Sequence, residues 1–94
     1  MKIVWSPRAV QDLNRIVDFI AQDKIHAALH WVQDVYKKVS RLQRFPKSGR
    51  IVPETNRPNL REILKGSYRI IYKIGPEISI LTVFHGAKKP EDLR

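Results

Sequence analysis

The sequence predicts an α+β domain with the element order β-α-α-β-β-β: an antiparallel sheet with a two-helix hairpin packed on one face. Three observations predict it. Helical periodicity fills the first half of the chain, and β-branched runs fill the last third. Between them lies "FPKSGRIVPETNRPN", rich in proline and turn formers. Helices and strands that segregate rather than alternate point to α+β. A chain of 94 residues has room for one hydrophobic core, so residues 1–94 are expected to form one domain.

Residues 2–5 (Lys-Ile-Val-Trp) make a short first strand. Ser6-Pro7 then supplies an N-cap followed by proline at the first helical position. Ala9, Leu13, Ile16, Val17 and Ile20 recur at helical spacing and define one buried stripe. Asp23 is expected to cap a second helix, in which Ala28, Val32, Val35, Val39 and Leu42 step by four and three, the seam of a packed hairpin. Lys37, Lys38, Arg41 and Arg44 lie opposite that seam, on a solvated face. His26 and His30 stand one turn apart, but no carboxylate pattern accompanies them, so they read as exposed helix residues and no metal is expected. Pro46 is expected to end the helix. Residues 60–65 form the next strand, and Gly66-Ser67 suits a tight turn. Two β-branched runs flanking Gly75-Pro76 complete a hairpin.

Register follows from the loop Gly75-Pro76-Glu77, which pairs Ile74 with Ile78, Tyr72 with Ile80, Ile70 with Thr82 and Tyr68 with Phe84. That face, joined by Ile63, is apolar and suits the helices. Leu64, Arg69, Ile71, Lys73, Leu81, Val83 and His85 then point outward, although a bulge would shift parts of this map. An exposed apolar strip with a cationic rim marks a partner site. The competing expectation is that the loop before Leu60 folds back over it.

Charge names the class of partner. Eighteen Lys+Arg against nine Asp+Glu give +9, a field that draws polyanions. The absence of cysteine excludes disulfides, thiolate metal sites and cysteine nucleophiles. No secretory apolar segment opens the chain and no run reaches bilayer length, so a cytoplasmic protein with no membrane partner is expected.

The stretches "SPRAVQDLNRIVDFIAQD", "AALHW", "FPKSGRIVPE", "REILKGSYRIIYKI" and "ISILTVFHGAKKP", in that order, resemble the RelE/ParE superfamily of bacterial toxins from type II toxin–antitoxin modules. The likeness is closer to the ParE branch. It implies a growth-inhibiting, plasmid-stabilising toxin without a cofactor. It also implies a cognate antitoxin whose acidic C-terminal segment wraps the toxin in a hetero-oligomer. Leu64, Arg69, Ile71, Leu81 and Val83 would then bind the antitoxin, and Arg61, Lys73, Lys88 and Lys89 the target. Members similar to ParE poison DNA gyrase without hydrolytic chemistry. Members similar to RelE and YoeB cut mRNA in the ribosome, which requires an acid, a base and cations around the phosphate. Arg69 matches the arginine of that pattern, and Glu54 and His85 fall near its acid–base positions. The last strand ends in Phe84-His85 without the late tyrosine of RelE-like members. "HGAKKPED" stands where ParE-like members often have "HGRRD". The expectation is a gyrase poison, with ribosome-dependent mRNA cleavage as the alternative. A third reading, a basic nucleic-acid-binding module without toxicity, finds no helix-turn-helix or stacked aromatic platform in the sequence.

Overall fold

In a computed structural model, which describes residues 1–86, strand β1 (Ile3–Trp5) leads into helix α1 (Pro7–Ala21) through the expected Ser6 cap. The Ser6 hydroxyl accepts from the Ala9 N–H at 3.0 Å and donates to the Leu81 carbonyl at 2.9 Å, so one side chain starts the helix and ties it to the sheet. Helix α2 (Ile25–Ser40) has Lys24 rather than Asp23 at its N-cap, with no side-chain cap. The tight link between the helices is closed by backbone bonds instead, Asp23 and Lys24 N–H both donating to the Ile20 carbonyl. Beyond Ser40 the chain tightens into 3₁₀ turns at Arg41–Gln43 and Pro46–Ser48. The helix therefore ends earlier than Pro46, which holds Phe45 out of the helical region at φ −130° and ψ 70°.

The sheet has five strands in the order β1-β5-β4-β3-β2. A two-residue strand, β2 (Arg50–Ile51), emerges from the turn-rich loop and pairs antiparallel with β3 (Leu60–Lys65). Strands β3, β4 (Tyr68–Ile74) and β5 (Ile78–His85) form the expected meander, with Gly66 at φ +58° in the first turn. The sheet is mixed rather than wholly antiparallel, because β1 runs parallel to β5.

The β4–β5 register begins as expected, Ile74 opposite Ile78 and Tyr72 opposite Ile80, and then slips at a bulge that leaves Leu81 unpaired. Past it, Thr82 faces Ile71, Val83 faces Ile70, Phe84 faces Arg69 and His85 faces Tyr68. Asp12 of α1 holds the bulge, accepting from the Thr82 hydroxyl at 2.5 Å and the Val83 N–H at 3.0 Å. Val83 is thereby turned into the core beneath the helices and Phe84 out of it, the reverse of the unbulged map.

The main core joins Ala9, Leu13, Val35, Val39 and Leu42 of the helical side to Ile70, Tyr72, Ile78, Ile80 and Val83 of the sheet. On the other face the loop folds back. Val52 buries itself against Leu60 and Ile71, with Leu81 and Phe84 packed alongside. The expected open strip is therefore largely lost: the loop roofs Ile71, which is 0% exposed, and leaves Leu81 half-buried, the bulge has turned Val83 into the helix-side core, and Leu64 alone stays open at 46%. Full burial of an isoleucine is worth about 1.5–3 kcal/mol, so apolar contact holds this loop as much as its polar bonds do.

Candidate functional site

On the roofed face four charged side chains form a chain, Arg50–Glu62–Arg69–Glu54. Glu62 points outward from β3 and its side chain is fully buried; Arg69, from β4, is almost as deep. Arg69 Nε donates to Glu62 Oε1 at 2.8 Å, and its two terminal nitrogens clasp Glu54 bidentately at 2.8 and 2.7 Å. Arg50 Nε donates to the other oxygen of Glu62 at 2.6 Å. The Phe84 ring, swung outward by the bulge, covers the guanidinium at 5.3 Å. The two positive and two negative charges compensate one another, which is what allows the central pair, Glu62 and Arg69, to leave water while Arg50 and Glu54 stay partly exposed.

Titration follows from this geometry. The Arg69 hydrogen bonds hold the Glu54 carboxyl down at about 2, against the opposing pull of desolvation. The same bonds, accepted by Glu54, raise Arg69 above the ordinary arginine value.

The three residues matched to the ribonuclease pattern come together. Glu54, Arg69 and His85 line one pocket of about 360 Å³, with Arg50, Pro53 and Leu64 among its other walls. His85 shares the face of its partner Tyr68, however, and the two rings meet edge-on at 5.6 Å. It does not project with Arg69 as the unbulged register implied. Nor is Arg69 a solvated rim cation, since its charge is spent on two carboxylates.

The other expected sites divide. Arg61 serves the loop, donating to the carbonyls of Pro58, Lys47 and Gly49 at 2.9–3.2 Å. Lys73 is exposed near the far end of β4. Lys88 and Lys89 lie outside the described residues. His26 and His30 are both exposed on α2.

Two parts of the site escaped the sequence reading. In sequence Glu62 is one residue of a strand, yet Glu62 and Arg69 fall on one face at diagonal cross-strand positions, a spacing that lets an acid and a base meet. The second part is the seat of the loop. The buried Tyr72 hydroxyl donates to the Pro46 carbonyl at 2.7 Å and accepts from the Gly49 N–H at 2.9 Å. A side chain at Gly49 would place its Cβ 2.6 Å from both the Tyr72 hydroxyl and the Glu62 carbonyl, so only glycine fits. Burial raises the Tyr72 pKa and keeps the phenol a donor.

This architecture has relatives. Residues 3–90 match the family model of the ParE toxin of the type II toxin–antitoxin system, parDE. A protein of Sinorhizobium fredii named "Putative toxin Y4kP" is 34% identical over 86 residues, covering 89% of this chain and 86% of the relative. A solved structure described as a chromosomal ParDE TA system from P. aeruginosa superposes with a TM-score of 0.75 at 28% identity. It covers 90% of this chain and 95% of the other. The two-helix hairpin, the five-stranded sheet and the family match over nearly the whole chain agree: this protein belongs to the ParE toxin family of type II toxin–antitoxin systems.

Proposed function

We propose that the chain inhibits growth by acting on DNA gyrase, that it does so without hydrolytic chemistry, and that a cognate antitoxin with an acidic C-terminal segment neutralises it. The state of Arg69 carries this reading. A ribonuclease needs a cation free to meet the scissile phosphate and a base that accepts a proton near neutral pH. Here the matching arginine is committed to Glu54 and Glu62, and Glu54 is held near 2, far below a useful base. Leu64 and the exposed flank of Leu81 are the apolar surface left on this face for the antitoxin, with Lys73 at the rim. An antitoxin carboxylate that reached Arg69 would have to displace Glu54.

The test is induced expression without antitoxin, followed by gyrase assays on the purified protein. The expected result is growth arrest with altered plasmid supercoiling and an SOS response, while translation continues at first. Prompt loss of translation with cut mRNA, and supercoiling unchanged, would overturn the gyrase assignment. One observation favours that second reading: Arg69, Glu54 and His85 do share a pocket. In that case Arg69→Ala should lower cleavage by about a hundredfold or more through lost charge stabilisation.

A further inference from the structure

We infer that a second site, between the C-terminal end of α2 and strands β2 and β3, binds single-stranded nucleic acid by stacking a base on Phe45 while the surrounding cations take the phosphates. This goes beyond the toxin reading and does not depend on gyrase as the target. The groove encloses about 630 Å³ and is lined by Lys38, Arg41, Phe45, Arg50 and Leu64 among others. Phe45 is 60% exposed, in the short link between the two 3₁₀ turns. An aromatic ring presented to water between cations is the minimal unit of single-strand binding, in which the ring takes a base and the cations follow the backbone.

The charge around it is one-sided. From Lys37 to Arg50 the chain carries Lys37, Lys38, Arg41, Arg44, Lys47 and Arg50, with no Asp or Glu between Asp34 and Glu54. Lysines at the end of a helix are explained by its dipole, which favours cations there. That accounts for Lys37 and Lys38. It does not account for Arg44 and Lys47, which lie beyond the helix, or for the open phenyl ring among them. Glu62 lies on the groove wall, but Arg50 and Arg69 neutralise it, which leaves Lys38 and Arg41 as the lining cations that face the phosphates. The polyanion meets no uncompensated carboxylate there. A duplex offers phosphates but hides its bases, so the exposed ring favours an unpaired strand.

The experiment is fluorescence anisotropy of the full chain with labelled dT10, rU10 and a ten-base-pair duplex, across a salt series. Phe45→Ala should weaken single-strand binding about 5- to 100-fold, with the salt slope unchanged, because stacking is lost and no phosphate contact is. Phe45→Trp should preserve binding. Lys38→Ser with Arg41→Ser, the two groove-lining cations with no carboxylate partner among the described residues, should lower the salt slope by about 1.4, two phosphate contacts at roughly 0.7 each on a single strand. Arg15→Ser with Lys24→Ser removes equal charge on α1 and at the opposite end of α2 and should leave the slope within experimental error. The inference is overturned if Phe45→Ala binds within about twofold of the parent. It is overturned equally by a duplex that loses as much on Phe45→Ala, or by a control pair that flattens the slope as far as the groove pair.

Discussion

Arg69 holds two carboxylates of different standing. Glu62 has no access to solvent, whereas Glu54 keeps 43% of its side chain exposed, so the two should differ in cost. Removing one partner of a buried pair costs about 3–5 kcal/mol, while an exposed pair is worth at most about 1 kcal/mol. Glu62→Gln should therefore lower unfolding stability several times more than Glu54→Gln, as read by urea denaturation at neutral pH. Glu54 also sets a pH window. Its folded pKa is depressed from 4.5 to about 2, so its contribution is complete above 4.5 and fades as the pH falls towards 2. Asp34, lowered by its hydrogen bond from Lys65, acts in the same direction. The stability gap between parent and Glu54→Gln should close across that window, and a gap that persists at the acid end would break the assignment. Arg69 was legible from its motif, but its neutralisation depends on where a loop residue, Glu54, comes to rest, and loop closure leaves no periodic trace.

The strands and helices were legible because each advertises a period: the stripe from Ala9 to Ile20, the seam from Ala28 to Leu42, the paired runs around Gly75-Pro76. Two features had no such signature. Strand β2 is two residues long, too short to show alternation, and exists because β3 offers it an edge. The bulge at Leu81 depends on Asp12, 70 positions from Thr82, and no local pattern reports a partner that distant. Yet that one slip decides which of Val83 and Phe84 enters the core. Asp12→Ala should thus cost more than a surface change, about 1–3 kcal/mol for leaving the Val83 N–H without its acceptor. Faster amide exchange at Val83 relative to Ile80 would locate the loss at the bulge, and unchanged exchange would show that the strand holds its register without Asp12. Leu81, which the unbulged map left open on the sheet, instead packs beside Ile71, so a charged replacement there would disturb the fold as well as any partner.

For the molecule as a whole, a net charge of +9 acts on partners before contact. An acidic antitoxin should associate fast at low salt and more slowly, by about tenfold or more, as salt screens the field, with little change in dissociation. Stopped-flow binding across a salt series measures both rates; a dissociation rate that rises in step with the fall in association would show that charge pairs, not apolar contact, hold the complex. The parallel pairing of β1 with β5 has a different consequence, one concerning synthesis. Ser6 and Leu81, joined by a hydrogen bond, are 75 positions apart, and β5 lies between β1 and β4 in the sheet. As the chain emerges from a translating ribosome, the helical hairpin appears long before the strand that Ala9 and Leu13 must cover. Until Ile78, Ile80 and Val83 arrive, the apolar stripe of α1 lacks half its core and the first strand lacks its neighbour. Translation halted before β5 would thus release no weakened toxin, only an unfinished chain open to proteases.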